Sequence, residues 1–169
     1  MPISAIAPST NNYAIFKGNV SFQEEGTSGY VHMGNAPSSE LSFDFDEVEH
    51  FSAMEGINEL DLTVARSKSA TLVLELEEMN PDNLAIMALG TEGTGGVIQI
   101  LALSQKTGAV RIVNTNDIGP QYQWDFPRVQ FRPSGAIAMI GTDFASVELT
   151  GKVLSTNGSF GTVVEIGTT

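Results

Sequence analysis

Residues 38–51 alternate apolar and polar side chains almost without a break. Leu41, Phe43 and Phe45 fall on one parity, and Glu40, Ser42, Asp44 and Asp46 on the other. In an extended strand, successive side chains point to opposite faces, so this parity yields one apolar and one polar face. Residues 71–79 repeat the pattern, with Leu72, Leu74 and Leu76 set against Glu75 and Glu77. The two stretches predict a long antiparallel hairpin. Residues 52–69 between them carry several charges, show strand character only around 60–64, and read as an irregular excursion.

The rest of the chain extends this theme. Strands are predicted over 13–22, 30–33, 97–103, 109–113, 129–140, 145–154 and 160–166, with loops at the Gly-rich 91–96 and the polar 114–123. One helix is predicted at 80–90. Asn80 is its N-cap, Pro81 fits the first helical position and Asp82 complements the positive end of the dipole. Gly90 is the expected left-handed cap. The helix body, 84–89, is apolar on nearly every side and needs cover all round. Many strands and one short helix predict a mainly β fold: two packed antiparallel sheets, a sandwich or partial barrel, flanked by that helix. No linker divides the chain. Residues 1–12 are expected to be an N-terminal arm, and residues 13–169 a single domain.

The charge narrows the function. Twenty acidic residues stand against eight basic ones, a formal net of −12. Such a chain repels nucleic acid rather than gripping it, and it lacks the Lys/Arg clusters that bind anionic membranes. With no cysteine, a disulfide, a thiolate metal site and a cysteine nucleophile are all ruled out. The first residues have neither a basic region nor a continuous apolar run, so no secretory signal is expected.

Catalytic motifs are absent from the inventory. His32 and His50 lie on different predicted strands, without ligand spacing. Asp44 and Asp46 share a strand face but lack the curling loop that wraps calcium. Gly90–Gly96 follows a helix and lacks the Gly-Lys-Ser/Thr ending of a phosphate loop. The reading is a non-enzyme without metal or cofactor.

Three stretches carry a family resemblance. The first is Met33-Gly34-Asn35-Ala36-Pro37-Ser38-Ser39-Glu40-Leu41, running on to Glu49-His50-Phe51. The second is Leu72-Val73-Leu74-Glu75-Leu76-Glu77-Glu78-Met79-Asn80-Pro81-Asp82-Asn83-Leu84, ending at Leu89-Gly90. The third is Phe131-Arg132-Pro133-Ser134-Gly135, followed by Asp143-Phe144-Ala145-Ser146-Val147-Glu148-Leu149-Thr150-Gly151-Lys152-Val153-Leu154 and Phe160-Gly161. In this order they resemble the major tail tube proteins of long-tailed, siphophage-type bacteriophages. The stretch 108–125 carries little of the likeness.

The resemblance implies a hexameric ring that stacks into a tube, with strands of all subunits closing one inner barrel. It implies a virion protein assembled in the host cytoplasm. Its partners would be further copies of itself, a tape-measure protein, and tail terminator and tip proteins, with double-stranded DNA in transit. On this reading Glu40, Ser42, Asp44, Asp46, Glu75, Glu77, Glu148 and Thr150 line the lumen. The 52–69 excursion reaches the adjacent ring through Glu55, Glu59, Asp61, Arg66 and Lys68. The inner tube of a contractile injection system shares the fold and is the nearest alternative. A small carbohydrate-binding or adhesin module, using Trp124 beside Tyr122 and Phe126, is the alternative of a different class.

Overall fold

A computed structural model describes residues 8–54 and 56–168. A short 3-10 turn at Thr10–Asn12 precedes the sheet strands β1 (Gly18–Glu24), β2 (Val31–His32), β3 (Ser38–Ser52) and β4 (Glu59–Leu76). Helix α1 (Pro81–Met87) and a small ribbon of β5 (Thr91–Glu92) and β6 (Ile98–Gln99) follow. Strands β7 (Lys106–Asn114), β8 (Pro120–Pro133), β9 (Val147–Val153) and β10 (Thr162–Thr168) complete the chain. The main sheet runs β2-β1-β7-β8-β9-β4-β3, with β10 added on β8, and all its pairings are antiparallel.

The mainly β, antiparallel fold with one short helix matches the sequence reading. The layers arise from a single curled sheet plus the small ribbon. Strand β8 makes the curl. Its residues 120–125 pair with β10 and its residues 129–133 with β9, along one edge. Pro127, which has no N–H to donate, falls between them, where the β7 pairing also slips register. Such a bulge bends and twists a strand. As a result β1 and β3, far apart in strand order, line one cleft, and Phe22 of β1 meets Phe131 of β8 edge-on at 5.7 Å.

The concave side holds one core. Leu72, Leu74 and Leu76 of β4 join Val129 and Phe131 of β8 and Leu149 of β9, all essentially without solvent contact. Helix α1 closes one end. Asn80 caps it, accepting from the Asn83 backbone N–H at 2.8 Å. The buried Asn83 amide donates to the carbonyls of Met33 (2.8 Å) and Glu78 (2.9 Å), tying the helix to the exits of β2 and β4. The left-handed residue after the helix is Leu89 (φ 46°), not Gly90. Gly90 is required for another reason: a side chain there would meet Ile98 Cγ2 at 2.6 Å and the Gln99 carbonyl at 2.9 Å. The helix body is thus covered by the molecule's own ribbon and sheet.

Three expectations need correction. Residues 59–69 are not an irregular excursion, because they belong to β4, which starts at Glu59 after β3 ends at Ser52. Strand β8 begins at Pro120, inside the stretch read as loop, and ends at Pro133 rather than 140. Residues 97–103 supply only the two-residue β6.

Gly151 sits in β9 beneath the β8 core residues. A β-carbon there would collide with Val129 Cγ1 and lie 2.9 Å from the Phe131 ring. Gly151→Ala is expected to destabilise the fold by about 1–3 kcal/mol, the usual penalty of overpacking. Denaturant titration against wild type checks this.

Candidate functional site: a polar sheet face and a projecting arm

The sheet's outer face, opposite the core, collects most of the residues singled out from sequence. Parity within β3, β4 and β9 places Glu40, Ser42, Asp44, Asp46, Glu75, Glu148 and Thr150 together there. Glu75 stands directly opposite Glu148, and Val73 opposite Thr150. The Ser134 hydroxyl donates to a Glu148 carboxylate oxygen at 3.0 Å. Glu77 lies just past the end of β4, where its carboxylate accepts from the Asn35 side-chain amide. With Glu78, which accepts from the Asn35 backbone N–H at 3.1 Å, it braces the turn after β2.

Sequence reading missed two cations on this face. Lys152 lies opposite Thr71 and donates to its hydroxyl at 2.9 Å, and Arg132 lies opposite Thr150. Lys152 shares the parity of Glu148 and Thr150 on β9 itself and was open to the same parity reading, whereas Arg132 needed the β8–β9 pairing as its signal. The face is therefore acidic at β3 and at the Glu75–Glu148 end, and mixed between them.

The second feature is an arm. Strand β4 pairs with β9 only from Ala70 to Leu76, whereas its pairing with β3 continues to Glu59 and Ser52. Beyond Ala70 the hairpin projects as two strands alone, over about 35 Å of β4. Two register shifts, at Asp46/Glu47 and His50/Phe51, add twist. Apolar side chains show on both faces of this ribbon. Phe43 and Phe45 lie on the core-side parity, Val48 and its partner Val64 on the opposite one, all roughly half exposed or more.

Four of the charges predicted to make contacts lie on the arm, at Glu59, Asp61, Arg66 and Lys68. Glu55 lies outside the described residues. Asp61 and Arg66 are the extra residues at the two register shifts. Asp61 meets His50 at 2.6 Å and Arg66 approaches Asp46 at 3.8 Å, while Lys68 sits 5.7 Å from the centre of the Phe160 ring. These pairs are solvent-exposed and contribute little individually.

Elsewhere, among the described residues, no group of three or more His, Asp or Glu converges as a metal site. No helix among them is long and apolar enough to cross a membrane. Asp82, at the start of α1, hydrogen-bonds Glu92 and holds its carboxyl above the usual range, with burial and the Asp82 charge adding to the effect. The aromatic group considered for glycan stacking lies on β8, not in a loop. Tyr122 and Trp124 meet edge-on at 6.5 Å, the indole N–H donates to Asn114 at 3.1 Å, and Phe126 is buried. Trp124 lines a cleft of about 490 Å³ with Phe16, Val20, Leu41, Leu72 and Phe126. These rings form a corner rather than a coplanar platform.

A family model described as "Protein of unknown function UCP028589" matches residues 13–100, just over half of the chain, and the chain belongs to that family. Among solved structures, the chain is similar to one described as the tail of an empty GTA particle, computed with helical refinement in C6 symmetry. Identity is 16 %, the TM-score is 0.47, and the match covers 82 % of this chain and 92 % of that one. No curated protein matches.

Glu75 and Glu148 are like charges directly opposite each other, an arrangement that weakens a sheet. Glu75→Gln is therefore expected to stabilise the folded chain by about 0.2–1 kcal/mol at neutral pH. The gain should shrink as salt screens the pair. Denaturant midpoints at low and high ionic strength measure both effects.

Proposed function

We propose that this chain is a structural ring subunit of a phage-type tail tube, a virion protein that acts by self-assembly. The observation that carries the reading is the β3–β4 arm. A two-stranded ribbon is at best marginally stable in water. This one leaves the outer edge of β3 unpaired along its length and β4 unpaired beyond Ala70, with apolar side chains on both faces. Unpaired edges of this length invite pairing with another chain. Closure of several copies into a barrel removes the edges and covers the apolar faces together. The likeness of the motif order from Met33 to Gly161 to that of tail tube proteins supports the tail-tube identity, and the sixfold ring is what that resemblance implies.

In such a ring the outer polar face of β3, β4 and β9 becomes the channel wall. Carboxylates there repel DNA phosphates over a range of about 8 Å at physiological salt. A strongly basic wall would instead hold the duplex through counterion release. Lys152 donates to the Thr71 hydroxyl, and Arg132 lies opposite Thr150, between Glu148 and Lys152 on β9, so among the described residues positive charge on the wall is confined to this one pair.

Concentrated protein is expected to form rings or tubes by negative-stain electron microscopy. A species that stays monomeric at every salt and protein concentration sinks the proposal. Phe43→Ser with Phe45→Ser should abolish assembly while changing monomer stability by no more than about 0.5 kcal/mol per site, as is usual for exposed positions. For the channel wall, Glu40→Lys with Asp44→Lys should permit tubes but slow genome release. Unchanged infectivity with that pair removes the lumen assignment and leaves the assembly reading in place.

A further inference from the structure

We propose that residues 134–146, between β8 and β9, are the seat for the arm tip of a second copy stacked head to tail. The inference rests on the self-assembly reading and deepens it by naming the receiving surface.

Strand β9 pairs its Val153 with Ala70 and its Val147 with Leu76. The arm leaves the sheet beyond Ala70. The 134–146 segment enters β9 at Val147, so it lies at the opposite end of the same strands. A copy displaced along the strand direction presents its 134–146 end to the arm of the first. A head-to-tail contact of this kind joins two different surfaces and repeats without limit along an axis.

The chemistry of the two surfaces agrees with their positions. The arm tip shows Met54 at 91 % and Ile57 at 86 % exposure. The segment shows Met139 at 91 %, Ile140 at 98 % and Phe144 at 98 %. Asp143 is the one charged residue in 134–146. A segment so apolar, held nearly full length in water, is unusual for a surface loop of a lone protein. Together the two surfaces hold on the order of 700 Å² of apolar side chain. That is below the roughly 1,200–2,000 Å² of a stand-alone complex. A ring repeats the contact around its axis, and linked contacts reinforce one another by avidity. The pairing is therefore weak between single chains and strong between rings.

The chain has no cysteine, so introduced thiols are the sole ones. Met54→Cys and Met139→Cys are placed in separate chains of different tag length, mixed, assembled and oxidised. A disulfide needs the two Cα atoms within about 7 Å. The expected result is a mixed dimer exceeding either same-variant dimer by more than about tenfold, reflecting the effective concentration in a stack. Ile57→Cys with Ile140→Cys repeats the measurement one position along. A separate Ile140→Ser, Phe144→Ser chain should form rings that do not stack, with an unchanged thermal melt. Tubes that show no mixed dimer with either cysteine pair overturn the seat alone. Tubes of normal length from the serine variant do the same. Chains that never assemble overturn the seat and the ring-subunit reading together.

Discussion

A β-strand carries a row of hydrogen-bonding groups along each edge, and β4 fills both rows over only part of its length. From Ala70 to Leu76 it lies between β3 and β9 and buries every second side chain. From Glu59 to Ser69 it has β3 alone. Everything else about the molecule follows from this division of one strand into a satisfied half and an unsatisfied one. The satisfied half anchors the core, and α1 and the β5–β6 ribbon close the end next to Leu76. The unsatisfied half has no reason to persist in water by itself. On the proposed ring reading, the exposed alternation of Phe43, Phe45, Val48 and Val64 is interface chemistry rather than misplaced core.

The curl in β8 serves the same division. By shifting partners from β10 to β9 across Pro127, one strand serves two parts of the sheet. The core is then enclosed without a second independent layer, and β3 is left as a terminal strand. A flat sheet of these strands would bury one face poorly. The curled one buries Leu74, Phe131 and Leu149 fully and keeps the outer face polar.

Much of this was legible in the sequence. Parity alone placed Glu40, Asp44, Asp46 and Glu75 on one face, because a strand's side-chain period is fixed by covalent geometry. Asn80 and Pro81 marked the helix start through their own capping chemistry, and the cap forms as expected. What stayed hidden depends on partners distant in sequence. Lys152 shares the strand and parity of Glu148 and Thr150, whereas Arg132 joined the face only once β8 was known to lie beside β9. Residues 59–69 read as irregular because two register shifts, at Asp61 and Arg66, interrupt the parity that signals a strand. The 134–140 stretch has strand-like composition but no ladder partner among the described residues, so β8 stops at Pro133.

Strand β4 also has a mechanical consequence. It passes from arm to core without a glycine or proline between Glu59 and Leu76, its one-residue register shifts at Asp61 and Arg66 leaving the strand continuous. Its long antiparallel pairing with β3 lies along the direction in which the arm would be pulled. Tension along that axis loads the cross-strand bonds in shear, many at a time, rather than peeling them one after another. A pull on the tip is thus carried straight into the Leu72, Leu74 and Leu76 packing. The chain is built as a tie-rod whose grip is the hydrophobic core itself.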